Sequence, residues 1–154
     1  MTESLALLKM IVFCGYAYLI YKRYGVLPSV SASTYALKGQ DRYYFTGMMW
    51  TLAILVLFQP IDAFAVWVAA GLGFSGVSIE FRENTAGAYW VHYIGTVFAI
   101  AAGYAAFVFL FGWWIPLASF LGGSVALYFR YGRKYIWYVE IWAMIVACVT
   151  LLFV

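Results

Sequence analysis

Few residues of this sequence could take part in acid–base or nucleophilic chemistry, and they are widely spaced. The chain has one histidine, His92, and only six Asp or Glu in 154 residues. Two serines, Ser31 and Ser33, follow the first apolar segment, and Glu140 lies inside the last one. A serine close to a histidine that is backed by a carboxylate could attack an acyl group of a lipid. Ionisable groups inside a membrane mark, more generally, proton relays, ion paths or polar-ligand sites.

These residues form two overlapping sets of candidates. The candidate catalytic residues are Ser31, Ser33, His92 and Glu140. The candidate ligand-binding residues are Glu80, Arg82, His92 and Glu140. A structural interpretation competes with both: His92 and Glu140 could satisfy each other and join two helices, because side-chain hydrogen bonds are common inside helix bundles. The sequence favours this structural role over ligand or proton handling, and favours hydrolysis least.

The composition argues against metal and cofactor chemistry. A zinc site takes three or four ligands from His, Cys, Asp and Glu, and a single histidine cannot supply the usual set or a bis-histidine haem. Cys14 and Cys148 lie in separate apolar segments, so they form neither a disulfide framework nor a metal pair. Covalent retinal would need a lysine deep in a span, and the only candidate, Lys9, lies near the end of one. We therefore predict no metal and no cofactor.

The elements that must position the candidate residues are predicted to be membrane helices. Apolar residues make up 67% of the chain and charged residues 10%, against about 45–50% and 25% in a soluble domain. A soluble chain of this length could not hide so much apolar surface from water, because small domains keep a large share of their surface exposed. Nucleic-acid binding, which would need a basic stripe in water, is not expected.

Six apolar segments predict an all-α bundle of six transmembrane helices in a single domain, residues 1–154. Each span needs roughly 20 residues, so little chain remains for anything outside the membrane. Turn chemistry separates the segments, as at Pro60 and Asp62, because proline disfavours helix continuation and aspartate is a good N-cap. The predicted spans are residues 4–21, 43–59, 63–79, 88–110, 115–130 and 135–154. The alternative is five spans with residues 115–130 partly re-entrant.

The basic residues predict the direction of each span. Eight of the nine Lys and Arg fall in the loops after spans one, three and five: Lys22, Arg23, Lys38, Arg42, Arg82, Arg130, Arg133 and Lys134. Because cytoplasmic loops carry the excess of Lys and Arg, we expect these loops inside and both termini outside. The expected location is a positive-inside membrane, such as the bacterial inner membrane, crossed several times.

This topology groups the polar residues by depth. His92 and Glu140 both lie one or two turns below the cytoplasmic surface, so we expect them to interact directly or through one water. Lys9 and Asp62 are both expected at the outer face, where they could pair.

Small residues predict where helices approach closely. Residues 71–76 (GLGFSG) match the G-x-G-x-x-G dinucleotide fingerprint, but that motif needs a strand before it. Here it lies inside a predicted span, where small residues allow close helix contact. The predicted helix-packing residues are Gly71, Gly73, Gly76, Gly95, Ala99 and Gly103.

Two stretches carry a resemblance that extends over most of the chain. Residues 27–33 (LPSVSAS) follow span one, and residues 73–81 (GFSGVSIEF) end span three, ahead of His92 at the head of span four. This order resembles small six-helix bacterial and phage-borne membrane proteins of unknown function, with a serine motif after helix one and a histidine in helix four. The chain departs from that pattern at Ser78 and Ile79. The resemblance implies six helices and a polar cluster at the cytoplasmic face, but no reaction. The matching polar positions are Ser31, Ser33, Glu80 and His92.

The sequence leaves three functions open. We expect a non-enzymatic membrane protein that binds a lipid-like or small polar ligand, or a subunit of a membrane assembly. Its expected partners are membrane lipids, with a homo-oligomer or a larger complex as further options. The first alternative is an enzyme acting on lipid headgroups through Ser31 or Ser33, His92 and Glu140. The second is a proton- or ion-coupled transporter, which the lack of a detectable inverted repeat disfavours.

Overall fold

A computed structural model describes the backbone of residues 2–59, 63–77 and 85–153, and their side chains except those of Thr2, Val77, 85–89 and Arg133. All regular structure in these residues is helical, which confirms the prediction of an all-α chain. The helices are α1 (Thr2–Tyr24), α2 (Ser33–Ala36), α3 (Tyr43–Leu57), α4 (Ala63–Val77), α5 (Thr85–Phe111), α6 (Ile115–Tyr131) and α7 (Tyr135–Thr150). Short 3-10 turns occupy Gly39–Arg42 and Gly132–Lys134.

One long helix occupies each of the six predicted apolar segments, with differences at the ends. Helix α1 continues past the predicted end at residue 21, through Lys22 and Arg23. Basic side chains are compatible with the last turn of a helix because they interact favourably with the negative end of its dipole. The helix stops just before Gly25, whose φ of +72° is the left-handed conformation that commonly follows a helix C-terminus.

Two of the helices are long and apolar enough to cross a bilayer. The qualifying stretches are Glu3–Tyr24 and Trp90–Phe111, with 22 residues each. The apolar stretches Ala63–Gly76 and Tyr135–Thr150 are shorter. The structure therefore supports a membrane association at the level of two helices, and six spans stay a prediction.

Side-chain contacts between helix ends show how the long helices are arranged. Thr46, at the start of α3, donates a hydrogen bond of 2.7 Å to the carbonyl of Gly76, at the end of α4. Ser75, also near the end of α4, contacts Thr96 in the first half of α5 at 3.0 Å. Helix α4 is therefore antiparallel to both α3 and α5. Helix α6 packs mainly on α7 and lies at the edge of the bundle, with Pro116 as its one buried residue.

A close helix contact joins the backbones of α4 and α5. A Cβ atom placed on Gly71 would lie 2.7 Å from the amide nitrogen of Ala99 and 2.7 Å from the carbonyl oxygen of Gly95. A Cβ atom on Gly95 would lie 2.7 Å from the amide nitrogen of Ser75. Only residues without side chains allow backbones to approach this closely. The GLGFSG run lies entirely inside α4, so it forms no phosphate-binding turn.

The other predicted packing glycines differ from one another. A Cβ on Gly76 would lie 2.9 Å from the ring of Trp50 in α3, so this glycine also supports a close contact. A Cβ on Gly103 would make an ordinary contact of 3.7 Å with Val68. Gly73 departs from the prediction, because a Cβ there would meet nothing within 4 Å. Gly73 follows Gly71 by two residues, so it lies on a different side of α4 from the face that contacts α5.

These contacts predict opposite effects of two alanine substitutions in the same helix. Gly71→Ala places a methyl group against the backbone of α5, which cannot move aside, and should cost about 1–3 kcal/mol of stability. Gly73→Ala, its control, should be neutral or slightly stabilising, because alanine is the better helix former. Thermal unfolding of the two purified proteins in detergent provides the measurement. Equal melting temperatures would contradict the close α4–α5 contact.

Candidate functional site

The segment between α1 and α3 folds into the bundle instead of lying over it. We call residues 26–37 the inserted loop. Val30 is 1% exposed and packs in one hydrophobic cluster with Phe13 of α1 and Phe45 of α3. Its turn is closed locally, because Ser29 Oγ accepts a hydrogen bond of 3.0 Å from the amide of Ala32. From the sequence this segment was expected to be a loop after span one that carries the candidate residues Ser31 and Ser33, and its entry into the bundle was not predicted.

Glu140 of α7 binds the inserted loop. The amide of Val30 donates a hydrogen bond of 2.5 Å to Glu140 Oε2, and Ser31 Oγ donates a longer one of 3.5 Å to Oε1. A buried backbone N–H needs an acceptor, because leaving it unpaired costs free energy comparable to a lost hydrogen bond. Glu140 therefore fixes the loop against α7.

His92 of α5 belongs to a second group of polar side chains. Its Nδ1 lies 2.9 Å from Ser75 Oγ, and Ser75 Oγ lies 3.0 Å from Thr96 Oγ1. Ser75 is fully buried where α4 and α5 meet, and the His92 ring makes a tilted contact with Phe45 at 5.9 Å between centroids. Neither Ser75 nor Thr96 was a candidate from the sequence.

The structure separates the residues that the sequence grouped together. In the part of the chain that it describes, His92 and Glu140 share no hydrogen bond, and each has its own partners. The expected direct bond between them is therefore absent. Ser33 lies apart from both, fully buried and 2.6 Å from the hydroxyl of Tyr16. Glu80, Arg82 and Asp62 lie outside the described residues, and so does the predicted pairing of Asp62 with Lys9.

A cavity inside the bundle brings the two groups together. Its volume is about 180 Å³, and residues of α1, the inserted loop, α3, α4, α5 and α7 line it, whereas α6 contributes none. Most of its wall is aliphatic or aromatic: Phe13, Phe45, Met49, Leu52, Val56, Phe64, Val68, Leu72, Ile100, Phe107, Met144 and Leu151. Along α7 the lining extends from Glu140 to Leu151, about 16 Å at 1.5 Å per residue. The cavity is therefore elongated and predominantly apolar.

Polar side chains line this cavity in two places. Ser31, Glu140, Ser75, His92 and Thr96 line it near the inserted loop. Two others, Lys9 of α1 and Gln59 after α3, line it near the opposite end of the bundle.

The lysine is deeply buried and hydrogen-bonded. Lys9 is 4% exposed and Gln59 is 6% exposed. Lys9 Nζ donates a hydrogen bond of 2.6 Å to Gln59 Oε1. Lys9 also lies near Cys148 of α7, which is two helical turns from Glu140, or about 12 Å along the axis.

The position of Lys9 in the sequence carries a signal for this second polar site. Lys9 is the sixth residue of the predicted first span, as Glu140 is of the last. A charge inside a span is costly and marks a functional site by default. Glu140 was interpreted in this way from the sequence, whereas Lys9 was placed near the end of a span at the outer face.

No known protein supplies a function for this site. Comparisons with protein-family models, with curated proteins and with solved structures find no match for this chain. Among the described residues, no cluster of three or more His, Cys, Asp or Glu side chains could hold a metal ion. The cavity and its polar groups are therefore the basis of the functional argument.

The Glu140 contact predicts a local effect on the inserted loop. Glu140→Ala removes the acceptor of the Val30 amide, and an unpaired buried donor costs about 1–3 kcal/mol. Amide hydrogen exchange at residues 29–33 should become faster in this variant, whereas exchange in α6 should not change. Glu3→Ala, which removes an exposed carboxylate of α1, is the control. Unchanged exchange at Val30 would show that Glu140 does not hold the loop.

Proposed function

We propose that this chain is a six-span membrane protein that binds a lipid-like amphiphile in the cavity of its helix bundle. The observation that carries the proposal is the elongated apolar cavity, with polar side chains near each end. An amphiphile has the matching distribution of chemistry, an apolar chain and a polar head.

The outward surface supports six spans. Large apolar or aromatic side chains are exposed on every long helix, and Ile115 and Phe129 of the peripheral helix α6 are each 81% exposed. Soluble monomers rarely expose contiguous apolar patches larger than a few hundred Å². Lipid is the solvent in which such a surface is stable.

The lengths of the helices are compatible with this proposal. The shortest of the six, α3 and α4, have 15 residues each. They extend about 22 Å, less than the roughly 30 Å of a typical hydrocarbon core. Short spans are accommodated by local thinning of the bilayer and by flanking side chains that reach the interface.

Six spans make a prediction about sidedness. Lys38 and Lys134 should face one side of the membrane, and Trp113, in the turn between α5 and α6, the other. We expect an impermeant maleimide to label Lys38→Cys and Lys134→Cys from the same face of sealed vesicles, and Trp113→Cys only from the opposite face. The background would carry Cys14→Ala and Cys148→Ala. Labelling of Lys38→Cys and Lys134→Cys from opposite faces would contradict the topology.

The wall chemistry supports a ligand with an apolar chain. An engineered apolar cavity of about 150 Å³ stays dry and binds benzene. The cavity here is slightly larger and is also lined by aliphatic and aromatic side chains. A cavity with these walls favours hydrocarbon over water.

Lipid hydrolysis has less support than binding. A Ser–His–Glu relay needs the serine and the carboxylate on the same histidine. Here Glu140 contacts Ser31 and the Val30 amide, whereas His92 contacts Ser75. Two separate hydrogen-bonded groups do not form such a relay, so we propose a binding protein in preference to an enzyme.

A cavity-filling variant tests the binding function. Ala143 is buried on α7 and lines the cavity, so Ala143→Leu should occupy space that the ligand needs. Protein purified in mild detergent should release a bound amphiphile on organic extraction, and Ala143→Leu should retain several-fold less, as mass spectrometry would quantify. Ala101→Leu, at an exposed position of α5, is the matched control. Equal amounts in all three proteins, or none in the unmodified protein, would overturn the proposal.

A further inference from the structure

We infer that the Lys9–Gln59 end of the cavity binds the carboxylate head of a single-chain amphiphile. This inference rests on the amphiphile-binding function proposed above and adds to it the charge, class and orientation of the ligand. Its basis is a pair of deeply buried side chains on the cavity wall: Gln59, whose amide nitrogen has no acceptor among the described residues, and Lys9, whose one described hydrogen bond goes to the Gln59 amide oxygen.

The geometry of the pair determines which atoms are left free. A lysine ammonium has three N–H donors and no acceptor. Because Lys9 is the donor, the acceptor is the amide oxygen of Gln59, and Oε1 lies 2.6 Å from Lys9 Nζ. The amide nitrogen of Gln59 is then a pure donor. It is buried and has no hydrogen-bond partner among the described residues.

Lys9 and Gln59 thus offer further N–H donors at the same end of the cavity. In its ammonium form Lys9 has further N–H groups beyond the one that bonds Gln59 Oε1, and Gln59 Nε2 carries two N–H groups. Both residues line the cavity and are more than nine-tenths buried. A buried charge is costly unless it is paired and hydrogen-bonded. The site therefore requires an acceptor, and an anionic one satisfies it best.

A carboxylate fits these donors better than other common heads. Its two oxygens can accept from Lys9 and from Gln59 Nε2 at once, and its charge neutralises the ammonium. A hydroxyl head offers no charge, and an amine head would be repelled. The narrow, elongated cavity of about 180 Å³ accommodates one hydrocarbon chain in preference to the two chains of a phospholipid.

The different polar groups at the two ends of the cavity fix the orientation of the ligand. Glu140 lies about 12 Å along α7 from Cys148, which is near Lys9. The Glu140 oxygens already accept hydrogen bonds from the inserted loop, so this end has no matching pair of free donors for an anionic head. The head therefore lies at Lys9, and the chain extends past Ala147, Met144 and Ala143 toward Glu140. The ligand then places its apolar part against the aliphatic wall.

One group of the protein itself could compete for Lys9. Asp62 follows Gln59 by three residues and lies outside the described part of the chain. A carboxylate of the protein would satisfy Lys9 by the same chemistry, so the experiment must separate an internal acceptor from a bound one.

The test uses the full chain in detergent, incubated with an equimolar mixture of dodecanoate, dodecanol and dodecylamine and then analysed by native mass spectrometry. We expect dodecanoate to be retained about tenfold over dodecanol, as one charge-assisted hydrogen bond would give. Lys9→Met removes the charge at similar length and should abolish the preference, whereas Lys9→Arg should keep it. Lys22→Met, at an exposed position of α1, is the control and should behave as the unmodified protein.

A second variant keeps the inference testable if Lys9→Met does not fold. Gln59→Glu supplies Lys9 with an internal carboxylate, so it should exclude dodecanoate while leaving dodecanol retention unchanged. Retention of dodecanoate by Gln59→Glu would overturn the inference.

The remaining outcomes separate the inference from the proposed function. Equal retention of dodecanoate and dodecanol by the unmodified protein would overturn the carboxylate site and leave amphiphile binding intact. A preference that arises only in Asp62→Asn would show that Asp62 pairs with Lys9, and would also overturn the inference. Retention of no amphiphile by any variant would overturn the proposed function itself.

Discussion

The hydrogen bond from the Val30 amide to Glu140 connects two parts of the chain that are 110 residues apart in sequence. A backbone N–H that enters an apolar interior must find an acceptor. A carboxylate inside a helix bundle likewise needs donors. At 2.5 Å this contact satisfies both requirements at once. It holds the inserted loop between α1, α3 and α7, and Val30 and Ser31 become part of the cavity wall.

The shape of the cavity follows from how unevenly the helices approach one another. Helices α4 and α5 meet at Gly71 and Gly95 with their backbones in contact, so they leave no space between them there. Helices α1, α3 and α7 contribute larger side chains to the cavity wall, such as Phe13, Met49 and Met144. The cavity lies between these side chains and the α4–α5 pair. Helix α6 packs on the outside of α7 and does not take part.

The polar groups make the two ends of the cavity chemically different. Glu140 lies at the inserted loop, and Lys9 of α1 lies near Cys148, about 12 Å from Glu140 along α7. Among the described residues, Lys9 and Glu140 share no hydrogen bond, and each has local partners. Glu140 has two donors from the inserted loop. Lys9 has one amide oxygen, which is why the lysine end is the better place for an anionic ligand.

The features of the site that depend on one helix could be predicted from the sequence, and the contacts between helices could not. Depth along a helix is a local property, and from it His92 and Glu140 were predicted to lie at a common depth; in the structure both side chains line the cavity. Whether the two side chains touch depends on the rotation and spacing of α5 and α7. In the structure His92 bonds Ser75 and Glu140 accepts from the Val30 amide, and the two do not bond each other. Lys9 was misjudged for a related reason. Its distance from the helix end is visible in the sequence, but whether it faces lipid, water or a cavity is not.

The sequence by itself determined the helices: an all-α chain with one long helix in each apolar segment, because apolar runs and turn residues act within a few residues of each other. It also determined which glycines could permit close contact. Only the tertiary structure decided which glycines do so, as Gly71 and Gly73 show, and that residues 26–37 enter the bundle. It alone joined Lys9 with Gln59 and Glu140 with Val30. Those pairs are separated by 50 and 110 residues, and contacts at such distances depend on the packing of the whole bundle, which no local pattern encodes.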